Sequence, residues 1–306
     1  MNITVFEERT TKVEKKVVFF LILDYNYIYS SDSKKIEESK MIKIETNLFN
    51  LEKTLECGQF FRYKKLENNN YLVFSKNKVI ECYQIGNILH IENSDDEEYW
   101  KNFFDIDGKY NEMNDDIIKH HPFMKEYVEK GYGIHILRQE PVEVIISFII
   151  SQNKQIPQIQ QCVELLCEKY GEKIKYKNKI YYGFPSLEKL STLSYDDFRE
   201  CKVGFRDKYI FDAIKNINKY GIENIKYHLR NIQGIGPKVE ACILLFAYQD
   251  YSVFPIDTWI RKTMQKLFFK DNEKIDDKKI IEKAASFGIY KGIAQQYLFF
   301  SRKKFK

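Results

Sequence analysis

The residues of this chain best suited to covalent chemistry are a lysine and an aspartate, Lys238 and Asp257. An unprotonated lysine amine is a nucleophile that forms imines, and a nearby carboxylate can stabilise developing positive charge. Lys238 follows a Gly-Ile-Gly-Pro string at 234–237, and the apolar run 239–248 predicts a helix with Lys238 in its first turn. Because the N-terminal end of a helix is positive, this position favours the neutral amine.

The residues around this pair indicate how it is positioned. Gly234 and Gly236 permit a tight turn whose backbone N–H groups can face a phosphate. Asp257 follows Pro255 and precedes a Thr-Trp-Ile string, so its side chain can cap a helix, a role compatible with a chemical one. A phosphate-binding turn beside an amine nucleophile and a carboxylate predicts chemistry on a nucleic acid.

Composition sets wider limits. The 306 residues suffice for one or two domains, and a net charge of +5 favours an anionic partner only weakly. The six cysteines contain no C-x-x-C pair and the five histidines are scattered, so we expect no metal, no cofactor and a reduced, intracellular protein. The apolar run 17–23 is too short to cross a membrane and no small-residue cleavage site follows it, so we expect no membrane partner.

Hydrophobic periodicity predicts an α+β fold with a small antiparallel β-sheet domain before a mostly helical body. Strand patterns cover residues 71–74, 79–83 and 88–91, with an earlier strand expected at 60–63. After residue 97 the period becomes helical, and helices are expected at 141–150, 157–170, 206–220, 239–248, 279–285 and 293–300. Ser186, and then Ser194 and Asp196, are expected to cap two more helices.

These patterns divide the chain into three segments. Residues 41–122 are expected to form the N-terminal β-domain and residues 123–306 the helical body. Residues 1–40 do not continue either pattern. They are either a loosely attached extension or precede a natural start at Met41.

Five strings of the sequence, in order, resemble the 8-oxoguanine DNA glycosylase/abasic-site lyase family, a branch of the helix-hairpin-helix glycosylases. They are Cys-Gly-Gln-Phe-Phe-Arg-Tyr (57–63), Ile-Leu-Arg-Gln-Glu-Pro (136–141), Ser-Phe-Ile-Ile-Ser-Gln-Asn (147–153), Lys-Val-Glu-Ala-Cys (238–242) and Ala-Gln-Gln-Tyr-Leu-Phe (294–299). Each string is weak alone, and their order makes the set specific. The resemblance implies a helix-hairpin-helix motif in the helical body and duplex DNA containing 8-oxoguanine as the partner of a monomer acting on DNA inside the cell.

The resemblance also implies a role for each matching residue. Lys238 would attack the sugar C1′ carbon of a flipped nucleotide, forming a Schiff base that allows β-elimination, and Asp257 would stabilise the charge that develops on the sugar.

Base recognition would fall to Gly58, Cys242, Gln295 and Phe299, with the Gly58 carbonyl accepting the N7–H that distinguishes 8-oxoguanine from guanine. Other readings stay open: a strand bulge at Gly58, and core packing for Cys242 and Phe299.

Three further residues match the family's DNA contacts. Asn153 would fill the space left by the flipped base, Phe205 would wedge into the base stack, and Arg206 would reach the opposite base. A helix C-terminal cap is the alternative for Asn153. Gly234 and Gly236 would hold the DNA backbone.

Three positions depart from the pattern of the family's eukaryotic members and suggest a prokaryotic type. Gln158 stands where they have an arginine that contacts the opposite cytosine, Trp259 replaces a histidine, and Arg302 replaces an aspartate. Some members of the wider superfamily hold an iron–sulfur cluster with four cysteines after the catalytic aspartate. Because no cysteine follows Cys242, we expect no cluster here.

Two alternative functions were weighed. One is a glycosylase for another damaged base, against which the Gly58, Gln295 and Phe299 set argues. The other is a non-catalytic helix-hairpin-helix module that binds DNA, against which the joint presence of Lys238 and Asp257 argues.

Overall fold

A computed structural model describes residues 40–270 and 273–302. Met41–Lys306 forms one compact unit by itself. Of the expected N-terminal extension, residues 1–39 lie outside the described residues. The status of that extension, the start at Met41 and the domain boundary after residue 122 therefore stay predictions.

In the described residues, an antiparallel five-stranded sheet forms the N-terminal part, as predicted. Its strands are β1 (Met41–Glu45), β2 (Tyr63–Lys65), β3 (Tyr71–Ser75), β4 (Lys78–Ile85) and β5 (Ile88–Glu92), in the spatial order β1-β5-β4-β3-β2. The turns β3–β4 and β4–β5 lie where the sequence placed them. Lys76 and Gly86 take the positive φ angles of 51° and 56° that such short turns need.

The sheet is covered on both faces. Helices α1 (Leu51–Glu56) and α2 (Glu97–Phe103) contribute Leu55, Trp100 and Phe103 to the core on one face. On the other face, Phe74 packs with Tyr176 of a two-stranded hairpin, β6 (Lys173–Tyr176) and β7 (Lys179–Tyr182). This cover explains why every residue of β3 is buried, instead of alternating as in a half-exposed strand.

The rest of the described chain is mainly helical, as predicted. The helices are α3 (Tyr110–His120), α4 (Lys125–Gly131), α5 (Pro141–Ser151), α6 (Ile156–Tyr170), α7 (Leu187–Ser191), α8 (Tyr195–Glu200), α9 (Asp207–Tyr220), α10 (Pro237–Tyr248), α11 (Thr258–Phe268), α12 (Asp277–Ala284) and α13 (Lys291–Phe300). Helix α5 is buried from Glu143 to Ile150 and packs against α6, α9 and α10, so it is the central helix.

Three finer expectations were wrong. The strand expected at 60–63 begins only at Tyr63, because Phe60 and Phe61 are in an extended loop that buries both rings. Asp196 is inside α8, whose cap is Ser194. The β6–β7 hairpin was not anticipated, since its Lys-rich strands lack a strong apolar alternation.

A buried arginine links the sheet to the helical body. Arg62, just before β2, donates to the Tyr182 carbonyl at 2.7 Å and to the Cys167 sulfur at 3.0 Å. Glu143 of α5 is only 6% exposed. Burial raises the pKa of Glu143 to about 7, although the positive charge of Arg62 opposes that rise.

We predict that Glu143 makes the protein less stable as pH rises. Its folded pKa of about 7 is above its ordinary value of 4.5, so the stability contributed by the neutral carboxyl is fully present below pH 4.5 and is lost as pH rises through 7. Between pH 4.5 and 8, Glu143→Gln should gain about 3 kcal/mol of unfolding free energy relative to the natural protein. Urea unfolding at both pH values measures this gain. Glu129→Gln, which removes an exposed carboxylate on α4, is the control, and equal pH dependence of Glu143→Gln and the natural protein would contradict the prediction.

Candidate active site

Helix α10 presents Lys238 in its first turn, as predicted. Gly236 is the N-cap in extended conformation and Pro237 occupies the first helical position, where a missing N–H costs nothing. The half-buried Lys238 side chain points over α5, with its Nζ 5.5 Å from the centroid of the Phe148 ring. Phe148 in turn stacks on Phe246 of α10, at 5.4 Å between centroids. The amine therefore lies against an aromatic wall formed by Phe148 and Phe246, while the Lys238 side chain stays partly exposed to solvent.

The carboxylate of Asp257 is held at the start of α11. Its Oδ1 accepts the backbone N–H of Ile260 at 2.7 Å, so the predicted helix cap is present. The charges of both Lys238 and Asp257 act on Cys242: burial raises the pKa of the Cys242 thiol, Lys238 opposes that rise and Asp257 adds to it. The two candidate catalytic groups thus face the same point of α10.

One small cavity brings together the residues predicted for catalysis and base recognition, but not those predicted for DNA binding. Its volume is about 60 Å³, and it is lined by Gly58, Phe148, Lys238, Cys242, Phe246, Pro255, Asp257, Gln295, Gln296 and Phe299. A water molecule takes about 30 Å³, so this cavity has room for about two, whereas ligand pockets usually span about 300–1,000 Å³. A purine can enter only if the side chains around it shift.

Gly58 lies in the loop between α1 and β2, so the strand-bulge reading is wrong. Its φ of +90° belongs to the left-handed region that favours glycine. A Cβ at this position would lie 3.2 Å from Cε1 of Phe299. Phe299 therefore packs against the backbone of Gly58, and a side chain at this position would be strained by the positive φ and crowded by the Phe299 ring.

Gln295 of α13 carries an unsatisfied polar group at this cavity. The side chain is 4% exposed, and its buried Oε1 has no hydrogen-bond partner. Since an unpaired buried polar group costs about 1–3 kcal/mol, this amide is suited to bind a polar ligand.

The predicted hairpin precedes α10. Ile235 donates its N–H to the Ile232 carbonyl at 3.1 Å, which closes the turn. Gly234 has a φ of +83°, and a Cβ there would come within 2.3 Å of the Tyr209 ring of α9. A Cβ at Gly236 would meet open space. The hairpin thus needs glycine at 234 for packing, and its Gly236 side is open to an approaching partner.

Asn153 and Phe205 are on neighbouring loops. Asn153 is exposed just after α5 with a φ of +53°, the conformation of a helix C-terminal cap. Phe205 is 57% exposed in the 3₁₀ turn Gly204–Arg206. Lys154 bonds to the Lys202 carbonyl at 3.3 Å, which ties the two loops together.

Arg206 lies inside this pair of loops. It is 5% exposed, donates to the carbonyls of Val203 and Gln152, and places its guanidinium 4.4 Å from the Phe205 ring centroid. In this arrangement the arginine braces the loops that carry Asn153 and Phe205. Its contact with a partner base stays a prediction, as do the DNA contacts of Asn153 and Phe205.

Four residues that line the cavity were not predicted as site residues: Phe148, Phe246, Pro255 and Gln296. Phe148 and Gln296 lie inside strings that carried the resemblance, and Pro255 lies two residues before Asp257, so proximity to those strings and to Asp257 was the available signal. Phe246 gave none, since an aromatic residue on an apolar helix reads as core.

In residues 40–270 and 273–302, no group of three or more His, Cys, Asp or Glu side chains converges to hold a metal ion. Over the same part of the chain, no helix has the length and apolar character to cross a membrane.

Comparison with known proteins decides the family. Residues 41–145 match the family model for the 8-oxoguanine DNA glycosylase N-terminal domain, and residues 146–288 match the model for HhH-GPD superfamily base excision DNA repair proteins. The chain is 38% identical to a Clostridium acetobutylicum 8-oxoguanine glycosylase/lyase solved in complex with double-stranded DNA containing cytosine opposite 8-oxoguanine. The match covers 87% of this chain and 97% of that chain, with a TM-score of 0.80. This chain belongs to the 8-oxoguanine DNA glycosylase family.

The chain is also similar to curated N-glycosylase/DNA lyases of lower identity, and it shares its fold with a glycosylase of another type. An Arabidopsis thaliana N-glycosylase/DNA lyase is 26% identical over 84% of this chain and 78% of its own length. A probable N-glycosylase/DNA lyase of Methanothermobacter thermautotrophicus is 26% identical over 64% of this chain and 70% of its own. The 3-methyladenine DNA glycosylase of Archaeoglobus fulgidus, at 18% identity and a TM-score of 0.65, shares the fold.

Two of the three residues that depart from the eukaryotic pattern of the 8-oxoguanine DNA glycosylase family, Gln158 and Arg302, lie at the ends of helices. Gln158 is exposed in the first turn of α6, where its Oε1 accepts the Gln155 N–H at 3.0 Å. Arg302 follows α13, with its guanidinium 4.3 Å from the Phe299 ring centroid. Burial lowers the pKa of Arg302, and Cys57 and Asp257 act against this. Arg302 thus packs on the Phe299 ring, close enough to Cys57 and Asp257 for their charges to act on it.

Proposed function

We propose that this protein is a bifunctional 8-oxoguanine DNA glycosylase and abasic-site lyase that acts on duplex DNA inside the cell. The observation that carries this function is the convergence of Lys238, Asp257, Gly58, Cys242, Gln295 and Phe299 on one cavity. The cavity brings an amine and a carboxylate together with apolar and polar groups that could contact a base.

The proposed reaction begins with a nucleotide rotated out of the duplex, at a cost of about a few kcal/mol. The neutral Lys238 amine attacks C1′ of the sugar, and the bond from C1′ to the base breaks with its electron pair leaving on the base. Loss of a proton from nitrogen and opening of the sugar ring give an imine between Lys238 and C1′. Loss of a proton from C2′ then expels the 3′ phosphate, which nicks the strand. Water releases the enzyme from the imine.

Asp257 is proposed to stabilise positive charge on the sugar as the base departs and to handle protons in the later steps. The Ile260 N–H bond fixes one of its oxygens. The other remains to face the sugar, so one carboxylate serves both as a helix cap and as a catalytic group.

The base is proposed to lie between Cys242 and Phe299, with Gln295 bonded to its Watson–Crick edge. The Gly58 carbonyl would accept the N7–H of 8-oxoguanine. Guanine has a lone pair at N7, which would leave that carbonyl unpaired at a cost of about 1–3 kcal/mol. One contact can therefore separate two nearly identical bases.

The remaining predicted residues are proposed to bind the DNA duplex. Gly234 and Gly236 form the hairpin that holds the DNA backbone, Asn153 fills the gap left by the flipped nucleotide and Phe205 wedges into the stack. The brace between Arg206 and the carbonyls of Gln152 and Val203 keeps both loops in position before DNA arrives.

The test of this function is strand cleavage on a set of duplexes. One carries 8-oxoguanine, one 3-methyladenine, one a preformed abasic site and one no damage. We expect nicking of the 8-oxoguanine and abasic duplexes alone. Cleavage of the 3-methyladenine duplex at a similar rate would favour a different damaged base, and binding of every duplex without cleavage would favour a non-catalytic DNA-binding protein.

A further prediction concerns the base opposite the lesion. A glutamine is uncharged and shorter than arginine, so Gln158 should discriminate less in favour of cytosine. We expect single-turnover excision opposite adenine, guanine or thymine within about tenfold of excision opposite cytosine, a barrier difference near 1.4 kcal/mol. Gln158→Arg should widen the cytosine advantage. An advantage of a hundredfold or more in the natural protein would show that Arg206, or another residue, reads the partner base strictly.

A further inference from the structure

A second buried glutamine, Gln296, lies beside the one proposed to bind the base. It occupies a position that the family pattern Ala-Gln-x-x-Leu-Phe leaves open. The side chain is 2% exposed and lines the same cavity. Its Nε2 donates to the carbonyl of Cys57 at 3.2 Å. Gln296 therefore binds the peptide group that immediately precedes Gly58.

The segment around Gly58 is fixed on its other side by Gln59. This completely buried side chain donates to the His135 carbonyl at 2.7 Å and to the Thr54 carbonyl at 3.0 Å, and it accepts the Leu137 N–H at 2.9 Å. Gly58 is thus held between two glutamines, one on its own loop and one on α13. The Gln296 bond joins residues far apart in the chain.

The orientation of the Gly58 carbonyl depends on the bond from Gln296 to the Cys57 carbonyl and on the bonds that hold the Gln59 side chain. Glycine rotates freely about φ and ψ, and its φ of +90° here is not imposed by a side chain of its own. A hydrogen bond to the Cys57 carbonyl fixes the plane of the Cys57–Gly58 peptide. The Gly58 carbonyl belongs to the next peptide group along the chain. A rotation of the Cys57–Gly58 peptide plane would therefore also turn the Gly58 oxygen away from the base.

We propose that Gln296 is a positioning residue for base discrimination, which holds the Gly58 carbonyl where it can accept the N7–H of 8-oxoguanine. The inference rests on the proposed role of Gly58. It assigns different tasks to two adjacent glutamines: Gln295 binds the Watson–Crick edge, which guanine and 8-oxoguanine share, and Gln296 sets the contact to N7, in which they differ.

The experiment measures equilibrium affinity in a Lys238→Gln background, by fluorescence anisotropy, for three duplexes. They carry 8-oxoguanine, 8-aminoguanine (similar in size at C8 but with an unprotonated N7) or a tetrahydrofuran abasic analogue. The parent should prefer 8-oxoguanine over 8-aminoguanine by at least about tenfold. Adding Gln296→Met, which keeps the length but removes the donor, should reduce that ratio at least about fivefold. Affinity for the tetrahydrofuran duplex should stay within about twofold.

Gln295→Met is the matched control. It should weaken binding of both base-containing duplexes by similar factors and leave their ratio unchanged. An unchanged ratio in the Gln296→Met protein would overturn the role of Gln296, whereas a parent without any preference would refute the Gly58 contact itself. Gln296→Leu, which removes the donor with a different shape, gives the same comparison if the methionine variant does not fold.

Discussion

Lys238→Gln is expected to abolish borohydride trapping on 8-oxoguanine duplexes and to lower the excision rate by at least about 10³-fold. The glutamine amide cannot form an imine, so no covalent intermediate is available for reduction. Duplex binding should change little, because the hairpin and the loops around Asn153 and Phe205 are untouched. Gel analysis of trapped complexes and single-turnover rates measure the two effects.

Lys125→Gln, which removes an exposed lysine on α4, is the matched control and should trap like the natural protein. Undiminished trapping by Lys238→Gln would show that another amine attacks the sugar.

Asp257→Asn is expected to slow base excision by about 10²–10⁴-fold while the protein keeps its stability. Asparagine caps a helix about as well as aspartate, so the bond to the Ile260 N–H can persist while the negative charge is lost. Single-turnover rates and urea unfolding separate the two effects.

Asp257→Ala removes both the charge and the cap. It should be as slow as the asparagine variant and also lose about 1 kcal/mol of unfolding free energy. An asparagine variant that keeps more than a tenth of the natural rate would show that Asp257 is a cap alone.

The positions of Lys238 and Asp257 were predictable because their sequence signals are local. Lys238 is placed by a Gly-x-Gly-Pro turn and a following apolar run, and Asp257 by a proline and a helix start, so neighbouring residues alone indicate their positions. The strands β3 to β5 were predictable for the same reason, since two short turns separate three apolar runs.

The side chains and backbone groups that surround the predicted site residues were less predictable. The aromatic wall of Phe148 and Phe246 arises where α5 crosses α10, and periodicity does not distinguish it from ordinary core. Arg206 binds two carbonyls whose positions only tertiary packing determines, so these bonds were not predictable, while its expected contact with the opposite base stays a prediction. Gln296 contacts Cys57 across almost the whole length of the compact unit, a pairing that no local pattern contains.

The position of α13 in the chain has a consequence for biosynthesis. Gly58 belongs to a part that can fold early as the ribosome releases it, whereas Gln295 and Phe299 are made near the end. Contacts between residues so distant in sequence form late, after the intervening chain has closed into a loop. Lys238, Asp257 and Cys242 are synthesised before then, whereas Gln295 and Phe299, two of the four residues proposed to recognise the base, are not. If these roles hold, a nascent chain carries the proposed nucleophile before its base-recognition pocket is complete, and that pocket is completed only when α13 docks onto Gly58.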